Sequence, residues 1–236
     1  MKTIGLLGGM SWESTEIYYK LINEETARVR GGLHSAPIAM FSVDFQAVEA
    51  LQKIGDWDGA AAMLAGKAKQ IESAGADLLL ICTNTMHKVA DEVSAAIDIP
   101  LLHIADATAR AVLASGVETV GLLGTRFTME QDFYVGRLKQ HGLSVVVPPE
   151  PDREIVHRVI FEELCLGEIR DDSRAHYVRI VDDLASRGAE AVIEGCTEIG
   201  MLIKQQHTAV PLFDTTAIHA HAAVSEALAD TWKAIP

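Results

Sequence analysis

Short apolar runs recur along the chain at 3–7, 37–43 and 77–81, each nearly continuous rather than alternating with polar residues. Runs of that length predict strands buried on both faces of a parallel sheet. Between them, apolar positions three and four residues apart predict helices over 13–28, 56–73 and 85–96. The second half repeats the alternation, with strands at 119–123, 143–147 and 191–194 and helices over 129–140, 152–165, 172–186 and 198–206. A last strand at Val210-Pro211-Leu212 leads into a helix over about 216–233, expected to cross back and complete the first half. Strand–helix alternation of this kind implies mainly parallel sheets flanked by helices, an α/β protein.

The two halves are also copies of one another. Ile4-Gly5-Leu6-Leu7-Gly8-Gly9-Met10 returns as Val120-Gly121-Leu122-Leu123-Gly124-Thr125-Arg126, and the same separation lays Tyr18 on Tyr134. Gly75-Ala76-Asp77-Leu78-Leu79-Leu80-Ile81-Cys82-Thr83 returns as Gly188-Ala189-Glu190-Ala191-Val192-Ile193-Glu194-Gly195-Cys196, and Ile99-Pro100-Leu101 as Val210-Pro211-Leu212. Three matches in one order, at a nearly constant separation, indicate a duplicated unit. The expected organisation is two pseudo-symmetric lobes, 1–103 plus 211–236 and 104–210, joined closely because no Pro- or Gly-rich linker divides them.

Composition narrows the function classes. Nearly half the residues are apolar but only 6% are aromatic, which suits a core of Ala, Val, Ile and Leu. A net charge of −13 repels phosphate backbones and argues against nucleic acid. No apolar run reaches membrane-spanning length, and the chain enters a strand at once, so a cytoplasmic protein without a membrane segment or leader is expected. The three cysteines, Cys82, Cys165 and Cys196, form neither a paired disulfide framework nor a metal pattern. His34, His87, His103, His157 and His207 are scattered, and His219 and His221 point to different sides of one helix, so no metal site is expected. The turn Gly5-Leu6-Leu7-Gly8-Gly9-Met10 has neither G-x-G-x-x-G spacing nor a Gly-Lys-Ser/Thr ending, which excludes both common nucleotide loops.

In parallel α/β sheets, ligands bind beyond the carboxyl ends of the strands. Those ends carry Gly8-Gly9-Met10-Ser11, Thr83-Asn84-Thr85, Thr125-Arg126-Phe127-Thr128 and Cys196-Thr197-Glu198. All are small polar groups near helix starts, where exposed N–H groups and the helix dipole favour anions. Each of Ser11, Asn84, Thr85 and Thr197 also suits an ordinary helix cap. Four such clusters in one cleft would supply the carboxylate recognition that the overall charge opposes.

The loops Cys82-Thr83-Asn84-Thr85-Met86-His87 and Glu194-Gly195-Cys196-Thr197-Glu198-Ile199 resemble the paired signatures of the aspartate/glutamate racemase family. So do the opening Ile4-Gly5-Leu6-Leu7-Gly8-Gly9-Met10-Ser11, the strand end Ser42-Val43-Asp44-Phe45 and the helix Val156-His157-Arg158-Val159-Ile160. The resemblance covers essentially the whole chain. It implies two pseudo-symmetric α/β lobes with the site between them, a small acidic amino acid as substrate, racemisation without a cofactor, and a homodimer. It also implies one thiol per loop, on opposite sides of the substrate Cα. Racemisation needs that arrangement, because a proton leaves one face of a planar carbanion and returns to the other. A thiol at a helix N-terminus is expected to have a lowered pKa.

In one respect the chain departs from the family. The position before Asn84-Thr85, where a catalytic Cys is usual, is Thr83, with Cys82 one place earlier. Adjacent residues leaving a strand point to opposite faces, so Cys82 is expected to turn away and, like Cys165, to act as a small buried hydrophobe. Cys196 then becomes the working base and Thr83 the weaker partner, with preference for the L-enantiomer. The resemblance gives Met10, Gln52, Asn84, Thr85, Thr125, Thr128 and Thr197 as candidates for holding the substrate. Glu198 either orients Cys196 or binds the ammonium group, and its charge would raise the thiol pKa. Asp44 is expected as a substrate or lobe contact, and His87 at the surface or behind the site. The alternatives are the related decarboxylases, maleate-type isomerases and hydantoin racemases, or a non-catalytic amino-acid-binding protein.

Overall fold

Residues 1–229 are described by a computed structural model of the chain. They divide into two compact units, one of Met1–Ile104 with the residues from His219 onward, the other of Ala105–Ile218. The first contains β1 (Ile4–Gly8), α1 (Trp12–Arg30), β2 (Ile38–Ser42), α2 (Phe45–Ile54), α3 (Trp57–Ser73), β3 (Leu78–Ile81), a 3₁₀ turn over Thr85–Val89 and α4 (Ala90–Ser94). Then come α5 (Ile104–Ala114), β4 (Thr119–Gly124), α6 (Arg126–Glu130), α7 (Asp132–Gln140), β5 (Ser144–Val146) and α8 (Glu150–Glu162). They are followed by α9 (Asp171–Ser186), β6 (Ala191–Gly195), α10 (Ile199–Leu202), β7 (Leu212–Asp214) and α11 (Thr215–Leu228). The expected last helix ran to 233, and its residues from 230 lie outside the described ones.

Both sheets are parallel and share one order. In the first it is β2-β1-β3, with Leu101 bridged to Leu79 beyond β3; in the second it is β5-β4-β6-β7, with Leu212 beside Val192. Leu79 answers to Val192 and Leu101 to Leu212 in the sequence repeat, so the repeat is an equivalence strand for strand. The residue shared by its first motif has a packing reason. A Cβ on Gly5 would come 2.7 Å from Ile71 of α3, and one on Gly121 would come 2.9 Å from Leu184 of α9. Glycine at these two positions lets the equivalent helices lie close on their sheets.

The apolar runs are continuous because each strand is covered on both faces. Leu7, Leu79 and Ile81 meet α2, α3 and α4, whereas Ile4, Leu6, Leu78, Leu80 and Cys82 meet α1 and α11. A fully buried Leu or Ile at such a position contributes about 2 kcal/mol. From His219 on, α11 supplies Ala220, Ala223, Val224 and Ala227 to this second face.

Four differences from the sequence reading stand out. α2 and α5 were not expected; both are short, and α2 is bracketed by an Asp44 cap and a left-handed Gly55. The helix expected over 129–140 is two, α6 and α7, broken at Gln131. Residues 85–96 begin as a 3₁₀ turn, and 198–206 hold only the four-residue α10 and a 3₁₀ turn over Gln205–His207. The boundary expected at 210/211 falls instead at 218/219, because β7 pairs with β6 and so stays with the second sheet.

Candidate active site

In the first unit Leu7 of β1 lies beside Ile81 of β3, so the loops after these strands leave side by side. The Cys82 N–H donates to the Leu7 carbonyl (2.9 Å), and the Ser14 hydroxyl donates to the Cys82 carbonyl (3.1 Å). Beyond β1, the Gly9 N–H donates to Thr15 Oγ1 (2.8 Å), whose own hydroxyl donates to the Ser11 carbonyl (2.9 Å). The Met10–Ser11 peptide is cis. Ser11 caps α1 through the Ser14 N–H, as the cap reading expects. Met10, Thr83, Asn84 and Thr85 are all buried. Gln52, in the last turn of α2, joins them with its Nε2 2.9 Å from Met86 Sδ. Asp44 does not: it is exposed and caps α2 through the Gln46 N–H (3.1 Å).

Cys82 behaves as strand geometry requires. It continues the Leu78–Leu80 face into the core beneath α1 and α11, and burial pushes its thiol pKa far up. It is not in place to stand in for Thr83. Cys165, in a 3₁₀ turn after α8, is only half-buried, because that turn comes to the surface.

The second unit builds the corresponding corner. Gly124 of β4 is paired with Gly195 of β6, so Thr125 and Cys196 follow at the same level. Thr128 packs against both strand ends, within 3.1 Å of where a Cβ on Gly124 would sit and 3.3 Å of one on Gly195. Thr125 caps α6 through the Thr128 N–H (3.4 Å), and the two hydroxyls lie 3.2 Å apart. Cys196 Sγ donates to Glu198 Oε2 at 2.9 Å, and the Thr197 hydroxyl donates to the same oxygen at 2.8 Å. Cys196, Thr197 and Glu198 are buried together.

This geometry corrects the expected thiol chemistry. Burial first, and then the Glu198 carboxylate, hold the Cys196 pKa well above the ordinary thiol value. The element behind it is the four-residue α10, far too short for its dipole to oppose those two effects. Cys196 is therefore a thiol hydrogen-bonded to a carboxylate, with a proton acceptor already in contact.

Sequence reasoning missed Tyr177 on α9. It is fully buried, its hydroxyl donates to the Val156 carbonyl (2.9 Å), and burial and the nearby Cys196 raise its pKa. His87, expected at the surface or behind the site, is behind it: buried, with Nδ1 2.8 Å from the Thr83 carbonyl. The signal was present: a residue four places on in a helical turn faces that carbonyl. Among the described residues no group of three or more His, Cys, Asp or Glu side chains could hold a metal ion. Nor, among them, is any helix long and apolar enough to cross a membrane.

The family model for Asp/Glu/Hydantoin racemase matches residues 7–223. A candidate Asp/Glu racemase from Yersinia pestis is 54% identical, with a TM-score of 0.90 over 97% of this chain and 100% of that one. An aspartate racemase homologue from Pyrococcus horikoshii OT3 is 38% identical, with a TM-score of 0.82 over 96% and 99%. A broad specificity amino-acid racemase from Bacillus subtilis is 22% identical over 96% of this chain and 98% of its own. The chain thus belongs to the Asp/Glu/Hydantoin racemase family and is an isomerase of the amino-acid racemase type.

Proposed function

We propose that the protein racemises an acidic amino acid, aspartate or glutamate, without a cofactor, with Cys196 as the base for the L-enantiomer. The observation that carries this reading is the Cys196–Glu198 pair: a buried thiol 2.9 Å from a carboxylate oxygen. Its proton passes to Glu198 as the thiolate takes the Cα proton of the L-substrate. The loop N–H groups and the hydroxyls of Thr85, Thr125, Thr128 and Thr197, with Met10, Gln52 and Asn84, would hold the substrate and meet the charge on the developing enolate. Thr83 is the partner on the other face. Its hydroxyl hands a proton to the carbanion and regains one from solvent as Glu198 releases to solvent the proton it took from Cys196, but Thr83 is a poor base in the reverse sense. The acidic substrate class is supported by the names of the Yersinia and Pyrococcus relatives.

Proton NMR in D₂O, run separately on L- and D-aspartate and L- and D-glutamate, tests this reading. Cα–H loss should be fast from an L-substrate and slow from its mirror image. A Thr83→Cys variant should then speed exchange from the D-form by about tenfold or more, because it places a thiol where a hydroxyl stood. Unchanged D-exchange in that variant would remove Thr83 from the chemistry, and no exchange from any of the four would remove the substrate class.

The homodimer implied by the family is supported by one exposed apolar face. Trp12, Tyr19 and Met40 are 65%, 53% and 50% exposed around a shallow hollow on α1 and the edge strand β2. Sedimentation should give a dimer for the wild type and a monomer for Trp12→Glu. A dimer that survives Trp12→Glu would place the interface elsewhere.

A further inference from the structure

His87 is not a surface residue but the centre of a buried polar cluster in the first unit. Its Nε2 accepts the Ile104 N–H (3.2 Å), while its Nδ1 is 2.8 Å from the Thr83 carbonyl. A backbone N–H can only donate, so Nε2 must carry a lone pair and the proton must sit on Nδ1. Nδ1 is then the donor that the Thr83 carbonyl accepts. The His103 ring lies 4.4 Å from the His87 ring and that of His219 lies 6.0 Å away, centre to centre. His219 is fixed in the opposite tautomer. Tyr18 donates its hydroxyl to Nδ1 (2.8 Å), and Nε2 donates to the Leu102 carbonyl (2.8 Å). The two imidazoles thus pin 102–104, where the chain leaves the first unit, and one of them reaches back to Thr83.

We infer that His87 is a positioning residue for Thr83: through one fixed tautomer it ties the carbonyl of that residue to the Ile104 amide and so sets the loop from which the Thr83 hydroxyl acts. This rests on the reading of Thr83 as the opposite-face partner. The turn after Asn84 is 3₁₀, and the His87 ring meets the Thr83 carbonyl from within it. A longer helix would have engaged the Thr83 carbonyl through its own ladder.

Two rates from one L-substrate separate positioning from bulk stability. Cα–H exchange with retention needs only the Cys196–Glu198 side, whereas formation of the D-enantiomer also needs a proton from the Thr83 side. His87→Gln keeps an acceptor near Ile104 but loses the donor to Thr83. It should lower inversion about tenfold relative to exchange with retention. His87→Asn keeps an amide donor near the Nδ1 position and should restore most of the wild-type ratio. Parallel loss of both rates in His87→Gln, or no rescue by His87→Asn, would overturn the inference. Thr83→Ala is the control on the underlying reading: an unchanged ratio in that variant means that Thr83 is not the partner, and the inference falls with it. A measurement on the wild type keeps the test independent of variant folding. The ¹⁵N shifts of His87 should report a protonated Nδ1 and a bare Nε2, and the reverse tautomer would overturn the assignment.

Discussion

Cys196→Ser is expected to lose Cα–H exchange from the L-substrate by at least about a thousandfold while binding that substrate within about threefold of the wild type. The reason lies in the state of the base. Burial and Glu198 already hold the Cys196 thiol pKa high, so a hydroxyl, which holds its proton far more tightly, has no accessible basic form there. The same geometry predicts a loss of about a hundredfold for Glu198→Gln, since an amide oxygen cannot take the Sγ proton. Because the raised thiol keeps its proton until Glu198 takes it, the pair reacts without losing a proton to solvent, and kcat/KM for the L-substrate should stay level through neutrality. Single-turnover exchange in D₂O with calorimetric binding checks each point. A Cys196→Ser rate within tenfold of wild type would place the base elsewhere, and a rate that climbs with pH would mean that the Cys196 proton leaves to solvent instead of to Glu198.

The second large effect concerns stability. Glu194 on β6 is 3% exposed, its Oε1 lacks a hydrogen-bond partner among the described residues, and its register neighbour on β7 is Asp214. Asp214 is committed to the start of α11, accepting the Thr216 N–H (2.8 Å) and the Ala217 N–H (3.2 Å). Burial first, then the Asp214 charge, push the Glu194 pKa from 4.5 up to about 8. The unfolded chain releases this proton near 4.5 and the folded protein near 8. Over that window the folded state binds more protons, so stability falls as pH rises, by a total on the order of 4 kcal/mol. His219 works in the opposite sense. Burial lowers its pKa from 6.5 to about 4, so its contribution is lost as pH falls through that range. The two slopes oppose each other below 6.5, and from there to 8 the slope belongs to Glu194. Glu194→Gln should abolish the loss between pH 6.5 and 8 and stabilise the protein at pH 8.5 by about 2–4 kcal/mol, with an effect near zero at pH 4.5. Denaturant titrations at those pH values read this directly, and an unchanged slope in the variant would refute it.

The repeated motifs were legible because they record packing that both units need. Gly5 and Gly121 admit α3 and α9, and Pro100 and Pro211 each precede the residue that extends a sheet. Strand parity alone sent Cys82 into the core and left Thr83 at the loop. Other parts depend on distances between residues far apart in the chain. Glu198 could be named from the sequence as a neighbour of Cys196, but the balance between dipole and burial could not. Only the shortness of α10 and the closure of the core around it make the thiol pKa rise instead of fall. Of the two places the sequence left open for His87, burial behind the Thr83 loop is the one found, and the choice depends on Ile104 and His103, which follow α4 in the chain.

The route of α11 has a consequence for synthesis. Its first turn is fastened in the second unit, through Asp214 and through the Thr215 hydroxyl on the Glu194 carbonyl (2.8 Å), whereas its later turns fill one face of the first unit's core. A chain emerging from the ribosome therefore makes the residues of the first sheet early but must wait for 220–227 to seal it. The second unit, continuous from Ala105 to Ile218, has all its parts before that. The half made first is therefore the one whose core is completed by the last residues made.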